Sequence, residues 1–407
     1  MLDLKQIRRD PEPVRAALAR RRDGSDARLD RVLELDARTR ALRPEAESLR
    51  ARQNEASKAI GAAKQAGRDA AAEIAAMQEV ARRVKALGTE LADADAELQA
   101  ALASLPNPPD PTAADRDTVI REVGEHGGAG PDHLDVAGPL INAEAGARVA
   151  GSRFVYLQGD LVLLELALVR WGMSVLEAHG FTPVVPPVLV REEALFGTGF
   201  LPDTEQQIYR LPDDDLFLVG TSEVPLASLH AGEILEEGVL PLRYAGFSPC
   251  FRREAGAAGR DTRGMFRVHQ FDKLEMFSFV EAEQSVDEHE RLLAIEEELL
   301  QALDVPYRVV NIGADDLGSS AAKKYDLEAW MPGRGDYGEV TSTSNTTDFQ
   351  ARRLNIRHRP GPRHVHTLNG TAVTWRHMIA LLENHGRAVP DVLQQWGAPA
   401  ELRVGEQ

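Results

Sequence analysis

The chain of 407 residues is 43% hydrophobic and 27% charged, with a net charge of −17, and this composition fits an ordinary globular protein of two or more domains. Its first residues, MLDLKQIRRD, lack the apolar segment of a secretory signal, and no apolar run approaches the ~18 residues of a membrane span. The one cysteine, Cys250, excludes an intramolecular disulfide and a cysteine-rich zinc site, so we expect a cytoplasmic protein with no membrane partner.

The N-terminal region has the heptad pattern of a helical hairpin. Apolar residues recur every seven positions in one row, then in a second and weaker row, and again after a turn containing Gly61 and Gly67. The rows are Leu35, Leu42, Leu49 and Ala56; Val32, Thr39, Ala46, Gln53 and Ile60; and Met77, Val84, Leu91, Leu98 and Leu105. This pattern predicts an antiparallel coiled-coil arm over about 27–103, with two helices of ~36 residues projecting ~50 Å at 1.5 Å per residue.

The same region differs in charge from the rest of the chain. Residues 1–110 hold 20 basic and 19 acidic side chains, whereas the remainder holds 27 and 45. Basic residues run toward the tip of the predicted arm: Arg38, Arg40, Arg43, Arg50, Arg52, Lys58, Lys64 and Arg68. We define these eight as the basic stripe. Such a stripe can follow a phosphate backbone, and the alternative is the solvated face of a coiled coil.

The remaining chain mixes strands and helices. The prolines of LPNPPDP at 105–111 exclude a helix, and the glycine-rich 124–138 predicts continued irregular structure. Beyond 151 we expect helices over 161–178, 285–303 and 374–385, and strands at 339–342, 365–368 and, interrupted by proline at an edge or interface, 181–190. The order of these helices and strands along the chain favours an α+β domain with an antiparallel sheet. Neither a P-loop nor a G-x-G-x-x-G fingerprint is present in the sequence.

The stretch 251–275, FRREAGAAGRDTRGMFRVHQFDKLE, predicts a long-looped antiparallel hairpin. Spacing by four puts Arg267, Phe271 and Glu275 on one strand face, and spacing by two gives Arg252 and Glu254 a common face on the opposing strand. Guanidiniums suit phosphate, a ring suits stacking, and carboxylates suit amines, so the hairpin indicates an anionic ligand that carries a base. The alternative is a charged hairpin facing water.

With these residues in view, nearly the whole chain resembles bacterial-type seryl-tRNA synthetases, which are class II aminoacyl-tRNA synthetases. The resemblance includes LDLKQIRRDPEPVR at the start, the arm, and three motifs: GFTPVVPPVLV at 180–190, the hairpin at 251–275, and HTLNGTAVTWRHMIALLENH at 366–385. Two further stretches match the serine enzymes, the triplet Thr221-Ser222-Glu223 and EVTSTSNTTDFQARR at 339–353.

The resemblance implies a class II antiparallel β-sheet core flanked by helices, together with an N-terminal antiparallel α-helical coiled-coil arm. It implies a tRNA-binding domain at 1–110, a linker at 111–150 and a catalytic domain at 151–407. It also implies a homodimer, formed through the strand and prolines of 180–190. The arm would read the shape of the long variable arm of tRNA-Ser, and of tRNA-Sec where that is present.

For the nucleotide, the resemblance implies that Arg252 holds the α-phosphate and the amino-acid carboxylate. Glu254 would face the adenine amino group, while Phe271 would stack on the ring beside the backbone of Val268. Arg267 and Arg376 would take the γ-phosphate of ATP.

The resemblance also implies a metal site and an amino-acid pocket. Glu339 and Ser342 would coordinate Mg2+, beside Thr341 in the ATP site. The serine pocket would consist of Arg252 and the following residues: Thr221, Glu223, Glu275, Asn369 and Thr371.

The implied activity is that of a serine–tRNA ligase, which activates L-serine with ATP and transfers it to tRNA. One alternative is a paralogue that activates serine or a similar small amino acid for a non-tRNA acceptor, and another is a non-catalytic RNA-binding scaffold.

The chain departs from the family pattern at Ser222, where alanine is usual, at Thr341, Thr343 and Thr346, where Ser or Cys is usual, and at Trp375, where glycine is common. The segment 348–353, DFQARR, has either a role at the site or, as the alternative, a purely structural role as the start of a helix.

Overall fold

The computed structural model describes residues 1–202, 207–255, 264–361 and 363–404. The chain divides into two compact units, one formed by residues 2–106 and the other by Met1 with 107–407. None of the helices in the described parts of the chain is both long enough and apolar enough to cross a membrane.

The first unit consists of four helices: α1 (Leu4–Arg9), α2 (Pro11–Ala19), α3 (Ser25–Gln65) and α4 (Ala71–Ala103). Cross-helix ion pairs join Arg31 to Glu97 at 2.8 Å and Arg83 to Glu45 at 3.1 Å. Residues further along α3 pair with residues nearer the start of α4, so the two helices are antiparallel. The coiled-coil arm predicted from the heptads is therefore confirmed.

Two details of the arm differ from the sequence-based expectation. The heptad row that looked weaker is the more deeply buried one, since Val32, Thr39 and Ala46 are at most 6% exposed whereas Leu42 is half-buried. Residue size does not decide which row lies at the centre of the seam, because small side chains let the helices approach closely. Gly61, expected in the turn, lies inside α3, and Gly67, with φ +68°, is the turn residue that needs the left-handed region.

The second unit contains the strands β1 (Thr118–Val123), β2 (Ile141–Asn142), β3 (Tyr156–Leu157), β4 (Thr182–Val184), β5 (Leu189–Val190), β6 (Tyr209–Leu211), β7 (Leu216–Leu218), β8 (Ile234–Leu235), β9 (Leu242–Phe251), β10 (Gln270–Val280), β11 (Tyr307–Asn311), β12 (Lys323–Met331), β13 (Asp336–Asn345), β14 (Arg357–His358), β15 (Arg363–His364) and β16 (His366–Thr374). Eight of them form the main sheet in the order β1-β11-β12-β13-β16-β10-β9-β4. Every neighbouring pair in it is antiparallel except β4 with β9. The predicted antiparallel α+β core is confirmed.

The helices of this unit are α5 (His133–Ala137), α6 (Ala143–Ala150), α7 (Asp160–Ala178), α8 (Glu192–Thr198), α9 (Glu223–Ser228), α10 (Ser285–Ala302), α11 (Phe349–Leu354), α12 (Trp375–His385) and α13 (Asp391–Gln394). The predicted helices over 161–178, 285–303 and 374–385 match α7, α10 and α12 to within one residue at each end. The proline-interrupted strand at 181–190 is divided into β4, at the sheet edge, and β5 in a separate small sheet.

The range 111–150, expected to be a linker with irregular structure over 124–138, contains regular elements. Strand β1 pairs with β11 at the other edge of the main sheet, and α5 lies within the glycine-rich stretch. Strand β1 was hard to predict because both faces of TVIREV are largely exposed, which removes the alternation that marks a half-buried strand.

Strand β10 shows how the sheet separates core from site. Leu274, Met276 and Val280 point into the main core, which α7, α10 and α12 cover. On the opposite face of β10, Phe277 is covered by α9 and α11. The helices therefore leave the first half of that second face of β10 for polar groups.

Candidate active site

The hairpin at 251–275 is present, but its strands are shorter than the sequence indicated. Strand β9 ends at Phe251 and β10 begins at Gln270, so Arg252, Glu254 and Arg267 lie beyond the strand ends. Strand alternation therefore does not apply to them, so the basis for grouping Arg267 with Phe271 and Glu275, and Arg252 with Glu254, is wrong. Glu254 instead has φ +51°, in the left-handed region, which redirects its side chain. The turn itself, at 256–263, lies outside the described residues.

The predicted nucleotide residues nevertheless converge on one cleft at these strand ends. Arg252 continues the hairpin by donating its backbone N–H to the His269 carbonyl at 2.9 Å. The cleft lining includes every residue predicted for ATP: Arg252, Glu254, Arg267, Val268, Phe271, Glu339, Thr341, Ser342 and Arg376. The segments that follow β9 and precede β10, together with β10, β13 and the start of α12, therefore contribute to a single surface.

Arg252 and Phe271 form the centre of this cleft. The guanidinium carbon lies 5.2 Å from the centroid of the ring, a cation–π arrangement, and its Nε donates to the Gly220 carbonyl at 3.2 Å. Phe271 is half-buried and packs against the edge of the main core. An anchored cation beside a partly open ring can hold a phosphate and an aromatic base at adjacent positions.

Arg376 and Glu339 form a second charged pair in the cleft. Arg376 Nη1 donates to the Glu339 carbonyl at 3.0 Å and lies 3.1 Å from its carboxylate, and the guanidinium stacks 4.6 Å from the Phe266 ring centroid. Partial burial on its own would raise the pKa of Glu339. The positive charge of Arg376, with smaller contributions from Lys324 and Arg252, instead holds this pKa well below its usual range. An ionised carboxylate and the nearby Ser342 hydroxyl are oxygen ligands of the kind that Mg2+ prefers.

Trp375, unusual for the family, does not displace Arg376 from the cleft. Its indole N–H donates to the carboxyl of Glu165, on α7, whereas Arg376 extends toward Glu339. Burial raises the pKa of Glu165 to about 7, and the neighbouring Asp272 adds to the rise. The large ring thus forms a wall of the cleft, while the arginine beside it remains directed inward.

Deeper along β10, four polar residues form a cluster that we call the acid pocket: Thr221, Glu223, Lys273 and Glu275. Each is 8% exposed or less. Lys273 donates from Nζ to the Thr221 hydroxyl at 2.7 Å and makes an ion pair with Glu275. Thr221 in turn accepts the Glu223 backbone N–H at 3.2 Å and lies 3.4 Å from a Glu275 oxygen. Gly246, the register partner of Glu275, permits α9 and the residue before it to pack closely on β9, because a Cβ there would lie 2.6 Å from Leu226 Cδ1 and 3.2 Å from the Cβ of Ser222.

The acid pocket holds two carboxyl groups against one ammonium group. Burial raises the pKa of Glu223 to about 7, and the neighbouring Glu275 contributes to this rise. Burial also raises the pKa of Glu275, in opposition to Lys273. A second cation would relieve the repulsion between the two carboxyl groups, so the pocket is suited to a small molecule that carries an ammonium group.

Asn369 and Thr371 lie on β16, next to this pocket. Thr371 is the register partner of Glu275, and Asn369 that of Phe277. The hydroxyl of Thr341 donates to the Thr371 carbonyl at 2.5 Å, and that of Thr343 donates to the Asn369 carbonyl at 2.9 Å. These two threonines, which stand where the family has Ser or Cys, therefore link β13 to β16.

Two residues of the site were missed in the sequence. Lys273 lies between Phe271 and Glu275 at the strand spacing of two, and that spacing would have identified it. Gln350, from DFQARR, donates from Nε2 to Glu223 Oε1 at 2.7 Å. In the same segment Arg352 pairs with Asp348 at 2.7 Å, which agrees with the structural alternative for that arginine.

The basic stripe on the arm is divided by its contacts. The members farther from the tip form ion pairs within the arm, namely Arg38 with Glu90, Arg40 with Asp36 and Arg43 with Asp95. The members closer to the tip, Arg50, Arg52, Lys58, Lys64 and Arg68, are exposed. Five of the eight members of the basic stripe therefore lie exposed toward the end of the arm.

Comparison with known proteins agrees with these features. The family model of the seryl-tRNA synthetase N-terminal domain matches residues 1–109, and that of the class II tRNA synthetase core domain (G, H, P, S and T) matches 207–385. Over 418 residues the chain is 47% identical to the serine–tRNA ligase of Thermobifida fusca, with 97% of each chain covered. It is 49% identical over 400 residues to that of Nocardia farcinica, covering 95% of this chain and 94% of the relative.

Solved structures give the same result. Seryl-tRNA synthetase from Pyrococcus horikoshii, complexed with ATP, matches with a TM-score of 0.92 and 40% identity over 100% of both chains. The cytoplasmic serine–tRNA ligase of Naegleria fowleri, in complex with AMP, matches with a TM-score of 0.85 and 30% identity over 98% of this chain and 96% of the other. The chain belongs to the seryl-tRNA synthetase family of class II aminoacyl-tRNA synthetases.

Proposed function

We propose that the chain is a serine–tRNA ligase that uses ATP to form seryl-adenylate and transfers the seryl group to the 3′ end of tRNA-Ser. The observation that carries this proposal is the arrangement along β10. Phe271 lines the cleft that suits a nucleotide, and Glu275, four residues further on, belongs to the acid pocket that suits an amino acid. The relatives complexed with ATP and AMP support the proposal that this chain binds a nucleotide.

In the first step, the serine carboxylate attacks the α-phosphorus of ATP, and pyrophosphate leaves as the bond to the bridging oxygen breaks. No protein nucleophile is required, so positioning and neutralisation of charge supply the catalysis. Arg252 would contact both reacting groups, the carboxylate and the α-phosphate. Arg267 and Arg376 would hold the γ-phosphate and favour the departure of pyrophosphate.

Mg2+ is part of the proposal. Glu339 and Ser342 would hold the ion, because one is an ionised carboxylate and the other a hydroxyl that lines the same cleft. When bound, the ion would neutralise charge on the triphosphate. Arg376, 3.1 Å from the Glu339 carboxylate, would contribute positive charge at the same place.

The acid pocket would select the amino acid. Glu223 and Glu275 can pair with the serine ammonium and accept a hydrogen bond from its hydroxyl, with Thr221, Asn369 and Thr371 completing the pocket. Alanine would be rejected because it leaves the buried polar groups that bind the hydroxyl unpaired. Threonine would be rejected by the size of its extra methyl group.

In the second step, a ribose hydroxyl of the terminal tRNA adenosine attacks the carbonyl carbon of the adenylate, and AMP leaves. We assign the tRNA contact to a domain at 1–110 and the chemistry to a domain at 151–407. The exposed basic residues near the arm tip can contact phosphate and ribose groups, which is how double-stranded RNA is mainly recognised. tRNA-Sec, where present, would be recognised in the same way.

The proposed assembly is a homodimer in the cytoplasm. Large apolar side chains are exposed near β4 and β5 and on α7: Val185 at 83%, Leu166 at 51%, Leu163 at 42% and Leu189 at 40%. Exposed apolar side chains of this size would be buried by a partner subunit. The prolines of the 180–190 segment fit an edge strand at an interface.

The experiment that tests the activation step is amino-acid-dependent exchange of pyrophosphate into ATP. We expect exchange with serine and little with alanine, glycine or threonine. Absence of serine-dependent exchange would reject the proposal. Exchange without charging of tRNA-Ser would favour a paralogue that activates serine for another acceptor, a possibility that the presence of the arm disfavours.

A further inference from the structure

Gln350 lies at the base of the acid pocket, on α11. It is fully buried, and its side-chain amide makes three hydrogen bonds to three different elements. Nε2 donates to Glu223 Oε1 at 2.7 Å and to the Thr198 carbonyl at 3.2 Å. Oε1 accepts from the Thr367 hydroxyl at 2.9 Å. The amide therefore connects α8, α9 and β16 at one point.

The orientation of this amide is determined by its neighbours. The Thr198 carbonyl can only accept, so the atom facing it must be the NH2 group. On the opposite side, the Thr346 hydroxyl lies 2.8 Å from the Thr367 carbonyl and 2.6 Å from the Thr367 hydroxyl. If Thr346 donates to the Thr367 hydroxyl, the single proton of Thr367 is left for Gln350 Oε1. The resulting chain runs in one direction, from Thr346 and Thr367 through Gln350 to Glu223.

The consequence for Glu223 is a fixed hydrogen-bond donor at one of its two carboxyl oxygens. A buried carboxyl with no donor would lose much of its solvation, and repulsion from Glu275 would favour other rotamers. The Gln350 amide supplies that donor. Its position is fixed, because Gln350 is fully buried and its side chain cannot turn toward solvent. Glu223 is thereby held beside Thr221 and Glu275.

We propose that Gln350 is a positioning residue for amino-acid selection, which orients Glu223 within the acid pocket while Thr367 orients Gln350. This inference rests on the proposed function, because it assigns serine to that pocket. Gln350 does not contact the reacting atoms in this proposal. Its effect is exerted through Glu223 alone, so it concerns serine and not ATP.

The test uses the full-length protein and pyrophosphate exchange. Gln350→Met keeps the length of the side chain and removes both hydrogen-bonding groups. We expect the KM for serine to rise by about tenfold to a hundredfold, the loss expected for a hydrogen bond to a charged group, with the KM for ATP unchanged. Gln301→Met is the matched control, because Gln301 bonds to Tyr307 at 2.7 Å outside the site, and we expect it to change neither KM.

Thr367 provides a second and milder pair of variants, in case Gln350→Met does not fold. Thr367→Val removes the donor to Gln350 Oε1 and should raise the KM for serine, whereas Thr367→Ser keeps the hydroxyl and should restore it. Equal changes in the KM for serine and for ATP, or no change in either, would overturn the inference. The wild-type protein separates the two proposals, because loss of its own serine-dependent exchange would reject the proposed function instead.

Discussion

Arg267 donates a hydrogen bond from Nη1 to a Glu254 carboxylate oxygen at 2.6 Å, so two residues proposed for opposite ends of ATP contact each other. The pair joins the two chain segments that leave β9 and enter β10. Glu254 reaches Arg267 from a left-handed backbone conformation. In the proposed binding mode, a nucleotide that uses both residues must separate this pair or lie against it, so the contact would couple adenine recognition to phosphate binding.

Glu254→Ala tests whether this carboxylate recognises adenine. We expect the KM for ATP to rise about tenfold or more, because a hydrogen bond to a charged group is lost, and the preference for ATP over GTP to fall. Exchange kinetics with each nucleotide measure both effects. Glu236→Ala, at an exposed acidic residue, should change neither. If ATP binding weakens while its preference over GTP is kept, Glu254 acts only by holding Arg267.

Lys273→Met tests the ammonium group of the acid pocket. The substitution leaves Glu275 buried without its ion-pair partner, which costs about 3–5 kcal/mol in free energy of unfolding. Urea denaturation measures this loss, and exchange kinetics should show weaker serine binding. Lys64→Met, on the exposed face of the arm, is the control and should leave both quantities unchanged. A Lys273→Met protein as stable as the wild type would contradict the role given to the ion pair.

The raised pKa of Glu223 predicts a pH dependence of serine binding. Burial, together with Glu275, raises this pKa to about 7, so the carboxyl is mainly neutral below that pH and ionised above it. The ionised form pairs with the serine ammonium. The KM for serine should therefore fall as pH rises through about 7, whereas Glu223→Gln should have a higher KM that lacks this dependence. A wild-type KM that is flat over this range would show that ionisation of Glu223 does not control binding.

Deleting residues 30–103 tests the role of the arm. The two compact units have separate cores, so the catalytic unit should still support serine-dependent exchange. Charging of tRNA-Ser should be abolished, because the exposed basic residues near the arm tip are removed. Aminoacylation and exchange measured on the same preparation distinguish the two steps. Charging that survives the deletion would show that tRNA binds elsewhere.

The strongly periodic parts of the fold were predictable from the sequence. The heptads predicted the arm, and long amphipathic or apolar patterns predicted α7, α10 and α12. Strand β1 was not predictable, because an exposed edge strand depends on backbone pairing with β11 and not on its side chains. The deeper row of the arm seam depends on how closely the two helices pack, which residue types alone do not give.

Much of the candidate site followed from residue type and resemblance, but its geometry did not. Arg252, Glu254 and Arg267 converge because of the backbone beyond the strand ends, where alternation no longer applies. Lys273 could be identified from the sequence, because it is two residues from both Phe271 and Glu275. Gln350 was not, because its contact with Glu223 joins residues far apart in the sequence and depends on how α9 and α11 pack.

The central claim is that this chain attaches serine to tRNA-Ser, and the most direct measurement is aminoacylation with labelled serine, ATP and Mg2+. We predict charging of tRNA-Ser with serine, and no charging of a tRNA that lacks a long variable arm. Stable serine-dependent exchange accompanied by no seryl-tRNA would contradict the claim and assign the activated serine to a different acceptor.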